Sequence, residues 1–366
     1  MAQSQFIQLI DEYMAQLVLR TVIRLNGTTE APSPYLHQLM LDKEYSVDGK
    51  WTSLSGDFGT VMADYVALDS SLPLKTRDSL GQASGDITKQ GQELWLNEKQ
   101  LRELQILSQQ TGQKAEIAKR VFEDLPRVIK AVYERNEFMF LQGLSSGVAV
   151  ADSDNTGTGV RLDYRYPTNH KFGAGVLWST PATSTPIDDF QRMQDQAALE
   201  GNTITELMMD KFAYNNLIKS TQMKDLHGVG VNFGGDYSKI PSLKQSQVID
   251  VLQDRLQIGS IRIVNWATRY EKNGTKTTVK PWAEGAVVGL ATNGLKVGSL
   301  VHTRIAEMDS PVEGVRYQTA DDYILVSKFR ENRPSIKEFT KSEAAAVPVI
   351  GKVDQIYLLD TKTVQA

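Results

Sequence analysis

The sequence predicts an α+β protein, on the evidence of three patterns. From Gln113 to Leu144, apolar residues recur at steps of three and four, which is the period of an amphipathic helix. Residues 160–166 alternate apolar and charged side chains, which is the period of a half-buried strand. Asn273-Gly274, between two β-prone segments, is a strong hairpin signal. Helices and strands are therefore both expected.

The amino-acid composition of the chain argues against several classes of function. The chain has 366 residues, 41% hydrophobic and 23% charged, enough for two or three compact units. A net charge of −4 gives no basic field of the kind that nucleic-acid-binding proteins carry. Because cysteine is absent, disulfides, thiolate chemistry and sulfur-rich metal sites are excluded, which fits folding in a reducing cytoplasm. We find no signal-peptide pattern or transmembrane run, and expect a soluble chain that is not exported by the usual route.

An amphipathic helix is expected at residues 3–25, ended by Asn26-Gly27. Pro32 and Pro34 then enforce an extended path. This combination fits an arm that packs on another subunit, or a helix folded on its own domain. The pattern alone favours the second.

Residues 45–92 are rich in Gly, Ser, Asp and Thr and poor in large apolar residues. Two parts, Val61–Leu68 and Ile87–Trp95, have the composition of paired strands. So long a stretch with so little to bury is improbable as an ordinary loop. We expect an extended hairpin or flap that finds its partners away from its own domain.

The long helix at 113–144 would be roughly 45 Å long at about 1.5 Å per residue. Pro126 should kink it or divide it in two, and Gly143 and Gly147 should end it. The periodicity elsewhere predicts helices at 95–110, 186–199, 203–219, 242–258 and 334–345, and strands at 148–178, 261–270, 276–282, 286–291, 323–329 and 347–359.

Gly143-Leu-Ser145-Ser-Gly147 matches the G-x-S-x-G pattern of hydrolase nucleophiles. That chemistry needs a strand before the serine and a helix after it, so that a strained turn presents the hydroxyl. Here the order is reversed. We therefore interpret the motif as a serine-glycine helix stop and not as a catalytic site.

The segment from Asp152 to Asp163 half-resembles a calcium loop. Its oxygen ligands would be Asp152, Asp154 and Thr156 at places one, three and five, with Gly157 at place six and Asp163 at place twelve. The twelfth ligand is Asp and not Glu, and a strand follows where a helix belongs. A polar loop between strands is the default interpretation.

The glycine-rich segment from Gly228 to Gly235 departs from a dinucleotide fingerprint, because its third glycine is one place late. We expect a surface loop there. The histidines are scattered, without the spacing of metal ligands on a helix, and each is expected to be structural or on the surface: His37, His170, His227 and His302. No catalytic, cofactor or metal site is therefore predicted.

Taken in order, these parts resemble the major capsid protein E family of tailed bacteriophages, in the lambda-like branch of the Hong Kong 97-type capsid fold. The resemblance covers essentially the whole chain and is carried by packing and turn patterns in SPYLHQLM (33–40), LPLKTRDSLGQASGDITKQGQELWLNEKQL (72–101), TITELMMDKFAYNNLIKS (203–220) and KPWAEGAVVGLA (280–291).

The resemblance implies a division of the chain into an N-terminal arm at 1–44, an extended loop at 45–92, a peripheral domain at 93–179 with its spine helix at 113–144, an axial domain at 180–321, and a return to the peripheral domain at 322–366. Some proteins of this fold join subunits by lysine–asparagine bonds. Lys75 and Lys89 lie in the extended loop, but the sequence identifies no acceptor, so that chemistry is not carried over.

The function that the resemblance implies is self-assembly through hexamers and pentamers into an icosahedral head shell around phage DNA. The implied partners are further copies of the chain, scaffold, portal and decoration proteins, and non-specifically packaged DNA; no membrane is implied. The protein would reside in the virion after assembly in the host cytoplasm. An encapsulin-like compartment with protein cargo is one alternative. A soluble α+β hydrolase using Ser145, or a metal at Asp152, is the alternative from another class.

Overall fold

A computed structural model describes residues 4, 6–28, 30–55, 65, 81–109, 114–152, 159–236, 240–291, 296–333 and 335–365. The chain divides into two compact units. Unit 1 comprises Met1–Trp51, Ser84–Phe140 and Gly298–Val349. Unit 2 comprises Thr52–Ala83, Leu141–Val297 and Ile350–Ala366.

The described residues contain helices and strands in mixed order. The α-helices are α1 Ile7–Asn26, α2 Leu36–Met40, α3 Glu98–Ser108, α4 Lys114–Val121, α5 Leu125–Ser146, α6 Pro186–Leu199, α7 Lys211–Leu217, α8 Thr221–Gly230, α9 Gln245–Leu256 and α10 Ala306–Asp309. The strands are β1 Leu41–Tyr45, β2 Lys50–Ser55, β3 Gly81–Asp86, β4 Lys89–Leu96, β5 Val148–Ala151, β6 Val160–Asp163, β7 Lys171–Ala174, β8 Glu206–Asp210, β9 Ser260–Val264, β10 Thr268–Lys272, β11 Thr275–Val279, β12 Ala286–Leu290, β13 Gly298–Thr303, β14 Arg316–Ala320, β15 Ile324–Glu331, β16 Lys337–Ile350 and β17 Ile356–Val364.

The N-terminal helix is confirmed as α1. It buries Ile10, Met14 and Val18, which follow one another at four-residue steps. Gly27 ends the helix with φ 77°, and a Cβ at this position would lie 2.2 Å from the backbone nitrogen of Ser33. Glycine is therefore required here both by the backbone angle and by the close return of the chain.

Unit 1 is built on a sheet in the order β1-β13-β16-β15-β14, with β4 also paired to β16. The predicted spine helix is present in two parts, α4 and α5, as Pro126 led us to expect. Ser342 on β16 donates a hydrogen bond from its hydroxyl to the Val128 carbonyl at 2.7 Å, which joins the sheet to α5.

The predicted helix at 334–345 is wrong, because this segment lies in β16. Its residues from Glu338 to Ala344 pair with β15 on one side and with β4 on the other. Ala, Glu and Lys favour helices, but the two flanking strands satisfy this backbone and bury its side chains. Tertiary pairing therefore overrides the local preference.

Unit 2 contains a sheet in the order β7-β17-β12-β8-β9. The predicted helix at 203–219 is wrong in its first half, which is strand β8, and right in its second half, which is α7. Leu207, Met208 and Met209 are all fully buried, because β8 lies inside the sheet between β12 and β9. An inner strand that is buried on both faces has a continuous apolar sequence. Such a sequence has no period that distinguishes it from a buried helix.

The base of the predicted extended loop is an antiparallel ribbon of β2 and β3. The Ile87 N–H donates to the Gly49 carbonyl at 2.8 Å, and Trp51 packs against Gly85. β2 ends at Ser55 and β3 begins at Gly81. Residues 56–64 and 66–80, including most of the predicted strand at 61–68, lie outside the described residues.

The predicted hairpin turn is confirmed: Asn273 and Gly274, with φ of 52° and 75°, join β10 to β11. The segment predicted as one strand at 261–270 is divided into β9 and β10.

The boundaries of the two units do not coincide with the predicted divisions, which stay predictions. Residues 141–179 belong to unit 2, and residues 298–321 belong to unit 1. Residues 350–366 belong to unit 2, where β17 pairs with β12 and β7. The predicted strand at 347–359 accordingly contains the end of β16 and the start of β17.

Candidate functional site

Ser145, the candidate nucleophile, is buried in the last turn of α5. Its hydroxyl donates to the Leu141 carbonyl at 2.8 Å and accepts the Ala283 N–H at 3.0 Å. Gly147 follows with φ 78°, and its N–H donates to the Gly143 carbonyl at 2.8 Å. These bonds are those of a helix end, as the sequence indicated, and they leave the hydroxyl away from solvent.

The aspartates of the half-matched calcium loop are placed only in part. Asp152 is exposed just after β5, and Asp163 is exposed at the end of β6, where it accepts the Arg165 N–H at 3.0 Å. Asp154 lies outside the described residues. Within the described ranges, no group of three His, Cys, Asp or Glu side chains is arranged to hold a metal ion.

The glycine-rich segment begins in helix and not in a loop. Gly228 and Gly230 belong to α8, which the sequence did not predict, and Asn232 follows with φ 50°. The Ser220 hydroxyl caps the start of α8 by accepting the Met223 N–H at 3.3 Å. Sequence reasoning gave weight to the glycines and missed this cap.

His37 is a structural residue of unit 1. Its Nδ1 lies 2.7 Å from Glu137 Oε2, and both side chains are fully buried. The same carboxylate accepts the N–H groups of Leu36 and His37 at 3.0 and 2.9 Å, so it caps the first turn of α2. The sequence signal for this buried bond is a glutamate directly before the apolar run Phe138–Leu141.

His170 belongs to a polar cluster in unit 2 that centres on Glu200. Glu200 Oε2 lies 2.7 Å from His170 Nε2 and accepts the Tyr357 hydroxyl at 2.7 Å. Its Oε1 accepts the side-chain amides of Asn169 and Gln196 at 2.7 and 2.6 Å. Three hydrogen-bond donors and the His170 ring surround one carboxylate and join the end of α6 to β17, which is a structural role.

The two other histidines also have structural neighbours. His227 contacts Gln247 on α9. His302 lies between the rings of Tyr45 and Tyr323. Burial, assisted by the Lys43 ammonium, lowers the pKa of His302. Of the lysines in the extended loop, Lys89 forms an ion pair with Glu343, and Lys75 lies outside the described residues.

Two groups of exposed apolar side chains are candidate contact surfaces. The first, which we call the arm patch, is Leu19 and Ile23 on α1, which are 60% and 48% exposed. The second, the α8 patch, comprises three side chains that are 43% to 57% exposed: Val229, Val231 and Phe233. Clustered apolar exposure is typical of surfaces that bind other proteins. No helix in the described part of the chain is long and apolar enough to cross a membrane.

Solved structures similar to this chain include a phage-related protein from Bordetella bronchiseptica RB50, with 14% identity, a TM-score of 0.53, and coverage of 95% of this chain and 97% of that one. A prophage protein of Escherichia coli CFT073, described as a capsid protein, has 14% identity and a TM-score of 0.50, over 77% of this chain and 79% of that one. At this identity the likeness shows the fold alone.

No curated protein matches the sequence. A family model described as phage major capsid protein E matches residues 31–348. These matches do not separate branches of the family, so the lambda-like assignment stays a prediction. The chain has the Hong Kong 97-type capsid fold and belongs to the phage major capsid protein E family.

Proposed function

We propose that this chain assembles through hexamers and pentamers into a closed icosahedral head shell that encloses phage DNA. The observation that carries the proposal is the family match over residues 31–348. Membership of a capsid family implies that copies of the chain associate with one another, and the function is then the assembly itself.

The surfaces described above support this proposal. The arm patch and the α8 patch leave apolar area in water, and a closed shell lets every copy bury such area against neighbours. Heterologous contacts repeated around symmetry axes close a surface without further components. Each contact can be weak, since many are made at once.

Within this proposal, unit 1 corresponds to the peripheral domain, because it contains α4 and most of α5, the two parts of the spine. Unit 2 corresponds to the axial domain. The ribbon of β2 and β3 forms the base of the extended loop.

The further partners would be scaffold, portal and decoration proteins, with assembly in the host cytoplasm. A net charge of −4 suits a wall that contains DNA without binding it tightly.

The test of the proposed function is particle formation. Co-expressed with the scaffold and portal of its phage, the full chain should sediment as shells that are visible by electron microscopy. Nuclease-resistant DNA inside mature particles would support a virion, whereas a protein cargo would support the encapsulin-like alternative. A stable monomer under these conditions would contradict the proposal.

The protein should also lack hydrolase activity, because the Ser145 hydroxyl is buried and bonded to backbone groups. A fluorophosphonate probe should not label the purified chain, while a serine hydrolase in the same tube is labelled. Ser145→Ala should lower the free energy of unfolding by about 1–3 kcal/mol, because the Ala283 N–H loses its acceptor. Labelling that disappears in Ser145→Ala would instead favour the hydrolase alternative.

A further inference from the structure

The spine is interrupted between α4 and α5, and a lysine from the sheet occupies the interruption. Pro126 has no N–H for the Phe122 carbonyl, which accepts the Leu125 N–H instead, at 3.1 Å. The Leu125 N–H is the usual donor to the Val121 carbonyl at the end of α4. Lys328 replaces it: its Nζ donates to the Val121 carbonyl and to Thr340 Oγ1, both at 2.8 Å.

The Lys328 side chain is buried, with 1% of the residue exposed, and its ammonium also lies 5.3 Å from the centre of the Phe122 ring. The charged groups that face it are Glu338 on β16 and Asp124 in the turn between the helices. Burial lowers the pKa of Lys328 to about 8, although both carboxylates act in the opposite direction. Glu338 is buried as well, which raises its own pKa, and Arg330 on β15 acts against that rise.

The α3–α4 pair connects to the rest of unit 1 at both ends, because α3 follows β4 after Asn97 and α4 leads into α5 through this joint. Leu101 and Leu104 of α3 and Ile117 of α4 are buried, and Arg120 of α4 lies 3.9 Å from Glu103 of α3. Their inner sides are apolar, whereas the joint holds a charged group away from water. Holding an ammonium out of water is costly even when hydrogen bonds and nearby carboxylates offset part of the cost. Opening at the joint would return this ammonium to water.

We propose that Lys328 makes the joint between α4 and α5 a proton-dependent opening point, where α4 separates from the sheet of unit 1 as the Lys328 ammonium is released to water. This is a property of each single copy and does not depend on the proposed shell.

The direction of the pH dependence follows from proton linkage. In the opened form Lys328 is hydrated and has its ordinary pKa of 10.5, against about 8 in the closed form. The closed form thus binds fewer protons between these values, so raising the pH favours closure and lowering it favours opening. Below pH 8 both forms are protonated, and the opening equilibrium becomes nearly constant.

The absence of cysteine from the sequence permits a direct test, because one introduced thiol is a unique reporter. Ile117→Cys places it on the buried side of α4, and Ala197→Cys places a control thiol on α6 in unit 2. The labelling rate by a thiol reagent is divided by the rate for the same chain in urea, which cancels the ionisation of the thiol. The unassembled full-length chain is used throughout.

Between pH 7.5 and 9.5, the relative labelling rate of Ile117→Cys should fall by roughly an order of magnitude, because the pKa of Lys328 is lower in the closed form than in the open form. The rate of Ala197→Cys should stay constant, as should that of Ile117→Cys combined with Lys328→Met. A constant rate at Ile117→Cys would overturn the proposal, and so would an equal fall at Ala197→Cys or in the Lys328→Met background. If Lys328→Met does not fold, Lys328→Gln serves the same purpose, and the comparison of the two cysteine positions remains decisive.

Discussion

Val128→Asp is expected to prevent the folding of unit 1. Val128 is fully buried on α5, and its carbonyl accepts the Ser342 hydroxyl from β16 at 2.7 Å. A carboxylate at this position would be enclosed by apolar side chains, which should cost several kcal/mol, a large part of the stability of an ordinary domain. We expect insoluble protein, or soluble protein without a cooperative melting transition by circular dichroism.

Lys130→Asp is the matched control, since it introduces the same side chain two residues further along α5 on the exposed side. Lys130 lies 3.5 Å from Glu134, and an exposed ion pair of this kind contributes only about 0.5 kcal/mol. This variant should fold with a melting transition close to that of the unmodified chain. Equal behaviour of the two variants would mean that the buried side of α5 has been assigned wrongly.

Local patterns in the sequence predicted those elements whose neighbours are close in sequence. The long helix was predicted with its division at Pro126, because a proline acts on its own helix. The helix at Pro186–Leu199 was predicted with its observed bounds, since its proline start and apolar stripe are both local signals. The turn at Asn273-Gly274 was predicted because positive φ angles favour these two residues.

The two segments predicted as helix that form strands, β8 and the first part of β16, each have at least one partner strand that is distant in sequence. Residues of β16 pair with β4, about 250 positions earlier, and a window of fifteen residues contains no trace of that pairing. Ser342, for example, lies opposite Gln92 in the folded sheet, and no local pattern around either residue indicates this pairing. For β8 the apolar run was visible, but its length was compatible with either kind of element.

The candidate site could be predicted only in part, for a related reason. The reversed order of helix and strand around Ser145 was readable from the sequence and gave the correct structural role. The roles of Glu137, Glu200 and Lys328 were not readable, because each depends on a partner more than twenty residues away. A charged residue beside apolar residues indicates a buried polar contact, but it does not indicate which residue is the partner.

The geometry at the base of the extended loop allows its outer part to be removed cleanly. Because β2 and β3 pair with each other, a short turn can join the end of β2 at Ser55 to the start of β3 at Gly81. Beyond this base, β4 is part of the unit 1 sheet through its pairing with β16, so it must be kept. The replacement should therefore cover residues 56–80 and leave β3 and β4 intact.

Replacing residues 56–80 with a four-residue Gly/Ser linker is expected to abolish shells and to preserve both units. The strands that flank the stretch, β2 and β3, pair with each other and are kept, so both units should retain their sheets. In the assembled shell the same stretch would contact neighbouring copies, and every copy would lose that contact at once. Circular dichroism and the melting transition should stay close to those of the unmodified chain, while sedimentation should show monomers or capsomers in place of shells. Normal shells would show that the outer loop is dispensable for assembly, and loss of the melting transition would show that it belongs to the core.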